Sequence, residues 1–299
     1  MKINNFKNKP TLKHLIHENN FLRIPYVYDG LSAKVAEKVG FLAVGLSGNA
    51  LSASLLGLPD LGILGMSESV NHAKNIAQNI TIPLICDADT GFGGLMNVIR
   101  TVREFESAGI SAIHIEDQVT PKRCGLLPQG IPVITQDEQI IKLKAAIAAR
   151  ESTDFMIIAR TDALSMHGIE EACKRAKSYV HAGADAVIIM GANTEAEIKF
   201  ASDFVNAPLA CVIQESAPTN ELTDDFLKSC GCILALHAGT ARYSVVRALT
   251  TAFTELKEKS HTRSISSMIS TFEEYNSVLD LENWLEIEKS YLNSKELDL

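Results

Sequence analysis

Short apolar runs alternate with amphipathic stretches eight times along this chain of 299 residues, with no linker to break the series. The runs predict strands at 23–28, 41–46, 82–86, 112–115, 155–159, 186–190, 209–213 and 232–236. Helical spacing fills the gaps at 32–39, 67–79, 95–108, 136–150, 169–181, 194–204 and 221–228, after an opening helix at 11–18. Strands apolar on both faces need cover on both faces, and the intervening helices provide it. Ala108-Gly109 and Ala182-Gly183 stand where a helix would end on glycine before the chain returns to the sheet. Eight such units imply an α/β chain folded as one (β/α)8 TIM-type barrel. An open doubly wound sheet would carry a Gly-x-Gly-x-x-Gly turn after its first strand, and none is present.

Composition narrows the function classes. A formal charge of −8 with no basic block argues against nucleic acid as a partner. No segment reaches transmembrane length, and Met1-Lys2-Ile3-Asn4-Asn5 lacks the apolar core of a signal peptide, so the expectation is a soluble cytoplasmic protein with no membrane partner. Six cysteines, at 86, 124, 173, 211, 230 and 232, form no CxxC pair and read as reduced, mainly structural thiols. From Ser264 onward a helical tail carries Phe272, Tyr275, Val278, Leu279, Leu281, Trp284 and Leu285. That is more apolar surface than a free helix tolerates, so it packs on another subunit or covers its own barrel. The expected division is a catalytic barrel over 1–263 and a helical extension over 264–299.

The chemistry concentrates at strand ends. The run from Ile82 finishes in Asp87-Ala88-Asp89 and a glycine-rich turn, Gly91-Phe92-Gly93-Gly94. Asp before Gly is common in turns, so the pair alone decides nothing. A second run ends in Glu116-Asp117 and leads into Pro121-Lys122-Arg123-Cys124-Gly125, which suggests one shared site. In a barrel the C-terminal strand ends meet at one mouth. There the sequence offers Asp29, Ser47-Gly48-Asn49, Asp87, Asp89, Glu116, Arg160-Thr161-Asp162, Gln214-Glu215 and His237. Acids with one arginine suit a divalent metal and a small anionic, carboxylate-bearing substrate. His114 is taken as a core histidine lying outside the inward pattern, and Lys122 and Arg123 as cations that favour a thiolate at Cys124.

Several of these stretches carry a family resemblance. Leu46-Ser47-Gly48, Gly57-Leu58-Pro59-Asp60, Asp87-Ala88-Asp89-Thr90-Gly91-Phe92-Gly93, His114-Ile115-Glu116-Asp117-Gln118, Lys122-Arg123-Cys124-Gly125 and Ala159-Arg160-Thr161-Asp162-Ala163 resemble the isocitrate lyase and phosphoenolpyruvate mutase superfamily. Lys-Arg-Cys-Gly is similar to the 2-methylisocitrate lyase, dimethylmalate lyase and petal-death group. The resemblance implies a barrel dependent on Mg²⁺, with Mn²⁺ able to replace it, and a homotetramer whose subunits exchange C-terminal helices in pairs. It implies retro-aldol cleavage of a 2-hydroxy acid. Asp87 and Asp89 would hold the metal, with Asp60 and Glu116 in its outer shell. Ser47, Gly48, Asn49, Gly125 and Arg160 would bind substrate, and Cys124 would donate a proton, with Arg160 and Glu116 beside it in the catalytic set.

Five positions depart from the lyase pattern. Gly45 stands where the lyases carry a tyrosine, Leu126 replaces a histidine, Met190 a glutamate and Val212 an asparagine, and no arginine stands near Thr271. Buried carboxylates need partners, so these losses point away from methylisocitrate toward a smaller or more apolar acid such as an alkyl-substituted malate. Oxaloacetate or phosphonate chemistry, and a non-catalytic relative, are the alternatives.

Overall fold

The computed structural model describes residues 9–125 and 130–294. The chain runs α1 (Leu12–Asn19), β1 (Leu22–Val27), α2 (Gly30–Val39), β2 (Val44–Leu46), α3 (Gly48–Leu56), α4 (Met66–Ala77), β3 (Leu84–Asp87), α5 (Leu95–Ser107), β4 (Ala112–Glu116) and α6 (Gln136–Ala149). It continues through β5 (Met156–Thr161), α7 (Leu164–His181), β6 (Ala186–Ile189), α8 (Glu195–Val205), β7 (Leu209–Ile213), α9 (Asp224–Ser229), β8 (Cys232–His237), α10 (Thr240–Lys259), α11 (Phe272–Val278) and α12 (Leu281–Ser294). The eight strands pair in parallel in sequence order, and β1 closes on β8, so the expected barrel is the observed one. Two helices fall outside the sequence reading. One is α3, separated from a three-residue β2 only by its N-cap Ser47; the other is the long α10.

Local chemistry fixes the helix ends. Thr135 with Glu138 and Thr194 with Glu197 form capping boxes at the starts of α6 and α8, and a side-chain cap of this kind contributes about 1 kcal/mol. After α5 and α7 the chain leaves through Gly109 and Gly183 at φ of 83° and 107°, which glycine adopts without a Cβ penalty.

Strand alternation then sorts the side chains into two cores. Ile24, Ile85, Ala112, Met156, Ile158, Ala186, Ile188, Ala210, Leu234 and Leu236 pack inside the barrel. Their strand neighbours, such as Cys86, Ile113, Ile115, Ile157 and Val187, pack outward against the helices. Thiols behave as the sequence suggested: all six cysteines are free, and Cys211 and Cys232 on adjacent strands touch with their sulfurs 3.4 Å apart. The C-terminal layer is different. Although α10 lies against β1, it buries none of its residues, and Tyr243, Val246, Phe253, Phe272, Trp284 and Leu285 are exposed.

Candidate active site

One parity rule places the site. Because Ile85, Ala112, Ile158, Ile188, Ala210 and Leu236 face inward, the residues two positions further along each strand also face the barrel axis. These are Asp87, His114 and then Glu116, Arg160, Met190, Val212 and Ala238. The same rule corrects the reading of His114, which lies on the inward face of β4 between Ala112 and Glu116. It also removes two candidates. Asp29 caps α2 by accepting from Ser32, and His237 joins a separate groove with Arg23, Phe41 and Asp224.

A small cavity at the mouth is lined by Ser47, Asn49, Asp60, Asp87, Lys122, Cys124, Gly125 and Arg160 on one side. Met190, Val212, Gln214, Ala238 and Arg242 line the other, with Arg123 on the rim. Most of the predicted residues therefore meet. Glu116 is buried behind Arg160, and Asp89 sits beside Asp87 at Gly48. Leu126 lies outside the described residues.

The acids are held in a dense ionic lattice. Lys122 Nζ lies 2.8 Å from Asp60 Oδ1 and 2.7 Å from Asp89 Oδ1, with only 6% of its side chain exposed. Its charge is committed to those carboxylates rather than to Cys124, which corrects the simple reading of a cation beside the thiol. Burial lowers the affinity of Lys122 for a proton, but Asp89, Asp87, Glu116 and Asp60 together raise it well above the ordinary lysine value. Arg160 bridges Glu116 at 2.9 Å and Asp162 at 2.7 Å. Both acids are almost fully buried, and burial pushes the Glu116 carboxyl well above its usual range against the opposing pull of Arg160.

Asp87 and Asp89 differ sharply. Burial alone would raise Asp87, but His114, Lys122 and Arg160 pull it down to about 2. Asp89 is pushed up to about 7 by burial, against the pull of Lys122 and with the negative charges of Asp87 and Asp60 adding to the rise. The Gly48 N–H donates to Asp87 Oδ2 at 3.3 Å, and Ser47 caps α3 by accepting from Ala50. A side chain on Gly48 would meet Asp89 Oδ1 at 3.0 Å, Asp87 Oδ2 at 3.1 Å and Lys122 Nζ at 3.3 Å, so the glycine permits their convergence. Gly125 is equally constrained, since a Cβ there would lie 2.7 Å from Asp162 Oδ1 and 2.9 Å from Arg160 Nη2.

Two supporting residues, Asp117 and Tyr26, escaped the sequence reading. Asp117, fully buried, accepts from Thr161 Oγ1 (2.8 Å), the Asp162 N–H (2.9 Å), Arg175 Nη1 (3.2 Å) and Tyr179 OH (2.8 Å), locking the strand end that carries Arg160 and Asp162. Tyr26 is the register partner of Gly45, and a Cβ on Gly45 would strike its ring at 2.5 Å. The missing tyrosine of β2 is thus matched by a tyrosine reaching in from β1. Its hydroxyl meets His114 Nε2 at 3.1 Å, and His114 Nδ1 lies 3.4 Å from Asp87 Oδ1. Burial lowers the His114 imidazole to about 4, so it is neutral near pH 7. A signal did exist for Tyr26, a large residue across from a glycine on the neighbouring strand, but it required the register.

Metal fit follows from the donors. Among the described residues no three His, Cys, Asp or Glu side chains are arranged to hold a metal ion. Mg²⁺ asks for only one or two protein carboxylates, and the neighbouring pair Asp87 and Asp89, whose Oδ2 and Oδ1 converge at Gly48 with Lys122 as the cation now beside Asp89, matches that demand.

A model of the phosphoenolpyruvate phosphomutase family matches residues 12–256. The chain belongs to this family. It is an enzyme of the phosphoenolpyruvate mutase and isocitrate lyase type, and its relatives sharpen the comparison. It is 36% identical to 2,3-dimethylmalate lyase of Eubacterium barkeri over 284 residues, 95% of this chain and 98% of that protein. An oxaloacetate acetylhydrolase bound to the inhibitor 3,3-difluorooxalacetate superposes with a TM-score of 0.89 at 30% identity, covering 96% of this chain and 97% of the other. A phosphonopyruvate hydrolase in complex with oxalate and Mg²⁺ superposes at 0.84 with 30% identity over 94% of this chain and 98% of that one.

Proposed function

We propose that this enzyme is a Mg²⁺-dependent carbon–carbon lyase that splits a substituted 2-hydroxy dicarboxylate into a 2-oxo acid and a carboxylate. One observation carries the reading: the Asp87–Asp89 pair, Arg160 and the Cys124 loop converge on a single cavity, in a chain 36% identical to a dimethylmalate lyase. In this reaction the bond between C2 and C3 breaks, the C2 hydroxyl gives its proton to water and becomes the 2-oxo oxygen, and the electron pair passes to C3 and its carboxylate. Asp87 and Asp89 would hold Mg²⁺ (or Mn²⁺), with Asp60 and Glu116 around them. When bound, the ion polarises the hydroxyl oxygen and neutralises charge developing on the carboxylate.

The remaining work falls to the chain. Arg160, oriented by Glu116 and Asp162, offers its guanidinium to a substrate carboxylate. Gly48, Asn49 and Ser47 line the start of α3, whose N-terminus favours an anion. Cys124 Sγ gives its proton to C3, from a loop anchored by the Cys124 N–H to the Asp60 carbonyl at 3.2 Å. Gly125 lets this loop approach Arg160.

An NMR time course with substituted malates, citramalate, methylisocitrate, oxaloacetate and phosphonopyruvate, with and without EDTA, tests the reading. The expected result is EDTA-sensitive release of a 2-oxo acid from a substituted malate, reduced at least ~10²-fold in Cys124→Ser, the loss typical of removing a general acid. The alternative is cleavage of oxaloacetate or a phosphonate at the same site, which the oxaloacetate acetylhydrolase likeness favours. Turnover of those substrates alone, insensitive to Cys124→Ser, would establish it.

The assembly belongs to the same proposal. The exposed apolar residues of α10–α12 suit a homotetramer in which the C-terminal extension (264–299) is exchanged between subunits. Sedimentation should give a tetramer, and a monomer would refute it. No described helix is long and apolar enough to cross a membrane; with its six free thiols and charge of −8, the enzyme is proposed to be cytoplasmic and to bind small anions rather than nucleic acid.

A further inference from the structure

Tyr26 and Gly45 are register partners on β1 and β2, and the Tyr26 ring fills the space that a Cβ on Gly45 would enter. Because β2 contributes no side chain at this level, the ring passes over it inside the barrel and sets its hydroxyl 3.1 Å from Nε2 of His114 on β4. Both side chains are almost completely buried. Phenylalanine would fill the same volume with no polar group to satisfy, so packing alone does not explain the hydroxyl.

The far side of the imidazole faces the acid pair. His114 is the register partner of Asp87, and its Nδ1 lies 3.4 Å from Asp87 Oδ1, with no hydrogen-bond partner of its own among the described residues. A neutral imidazole has one donor and one acceptor nitrogen. A lone pair on Nδ1 would confront a carboxylate oxygen, so Nδ1 carries the proton and Nε2 accepts from the Tyr26 hydroxyl. Asp87 Oδ1 is thereby approached from two sides, by His114 and by the Asp89 N–H at 3.0 Å. Its Oδ2 is the oxygen turned toward Gly48, where it converges with Asp89 Oδ1. One oxygen of the carboxylate is anchored and the other is presented to the shared space.

We propose that Tyr26 is a positioning residue: by fixing the tautomer of His114 it holds Asp87 with Oδ1 anchored and Oδ2 directed at the divalent cation, and so sets the affinity for the metal. The inference rests on the reading of Asp87 and Asp89 as metal ligands, and it adds a line of control that starts on β1, two strands from Asp87. Hydrogen-bond partners behind a metal ligand typically change metal affinity by about 10- to 100-fold.

Titration of the full-length enzyme with Mn²⁺, followed by electron paramagnetic resonance, reads the affinity. Nitrogen NMR of enzyme labelled at its histidines reads the tautomer, the His114 signal being assigned by its loss in His114→Asn. The wild type should bind Mn²⁺ and show a protonated Nδ1. Tyr26→Phe keeps the ring and should weaken Mn²⁺ about tenfold while a protonated Nε2 appears in the His114 signal. Gly45→Ala, which drives the ring from its seat, should weaken Mn²⁺ at least as much with the hydroxyl still present. In a His114→Asn background the link is already cut, so adding Tyr26→Phe should change the affinity by less than about twofold. Unchanged Mn²⁺ affinity in Tyr26→Phe, an unchanged tautomer, or additive losses in the double variant would overturn the proposal. Failure of the wild type to bind Mn²⁺ would refute the metal-ligand reading and the proposal with it, a distinct outcome. Melting curves identify any loss of fold, and Tyr26→Phe, which removes a single oxygen, carries the test if Gly45→Ala is unstable.

Discussion

The two walls of the barrel mouth follow opposite plans. From β2 to β5 the charged groups are buried and ion-paired: Lys122 with Asp60 and Asp89, Arg160 with Glu116 and Asp162, and Asp117 accepting from four donors behind them. From β6 to α10 the inward residues are Met190, Val212 and Ala238, and the polar groups, Gln214 and Arg242, keep donors unpaired. The first wall is rigid because breaking any pair strands a buried charge, which suits groups that must hold reacting atoms in place. The second makes few internal demands, so it can vary with the substrate. On the proposed reading, catalytic machinery and substrate choice would be carried by different strands of one barrel.

That contrast can be broken most forcefully at Asp89. Asp89→Asn should reduce activity by more than the ~10- to 100-fold typical of residues outside the ligand shell, and should abolish the Mn²⁺ signal bound to the protein. Its carboxyl is held near 7 against an ordinary 3.8, so ionising it in the folded state costs stability once the pH exceeds the unfolded value. Lys122 keeps its pair with Asp60, so the variant strands no charge and should melt at or above the wild-type temperature at pH 8. A large loss of stability with intact Mn²⁺ binding would reverse the assignment. Next is Asp117→Asn, which touches neither substrate nor metal. It leaves Arg175 short of a buried partner and should lower unfolding free energy by about 3–5 kcal/mol in denaturant titration. A change under ~1 kcal/mol would show that the lattice of the first wall is not tightly coupled. The smallest effect belongs to the second wall: Met190→Leu should cost less than about 1.5 kcal/mol while shifting relative kcat/KM among substituted malates. Equal losses for all substrates would show that this wall does not choose among them.

Much of this was legible before folding. The alternation of apolar runs and amphipathic stretches marks all eight strands, and the acids at their ends, with Arg160 and the Cys124 loop, lie in recognisable motifs. Helices α3 and α10 were less readable because each begins at glycine and small polar residues, Gly48-Asn49 and Gly239-Thr240, that look like loop. Parity was the other obstacle. His114 stands in an unbroken apolar strand, where period-two alternation leaves no mark, and only the closed barrel tells which side is inside.

By itself, then, the sequence determined the number and order of the strands, the fold class they require, and the donor types gathered at one mouth, because these depend on local periodicity and on chain order. Tertiary structure decided the partners. Lys122 reaches Asp60 across 62 positions, Tyr26 occupies the space that Gly45 leaves open, and Arg242 comes back from α10 to line the same mouth as Arg160. Such pairings depend on register and on barrel closure, which bring together side chains far apart in the chain, and no local pattern encodes that meeting.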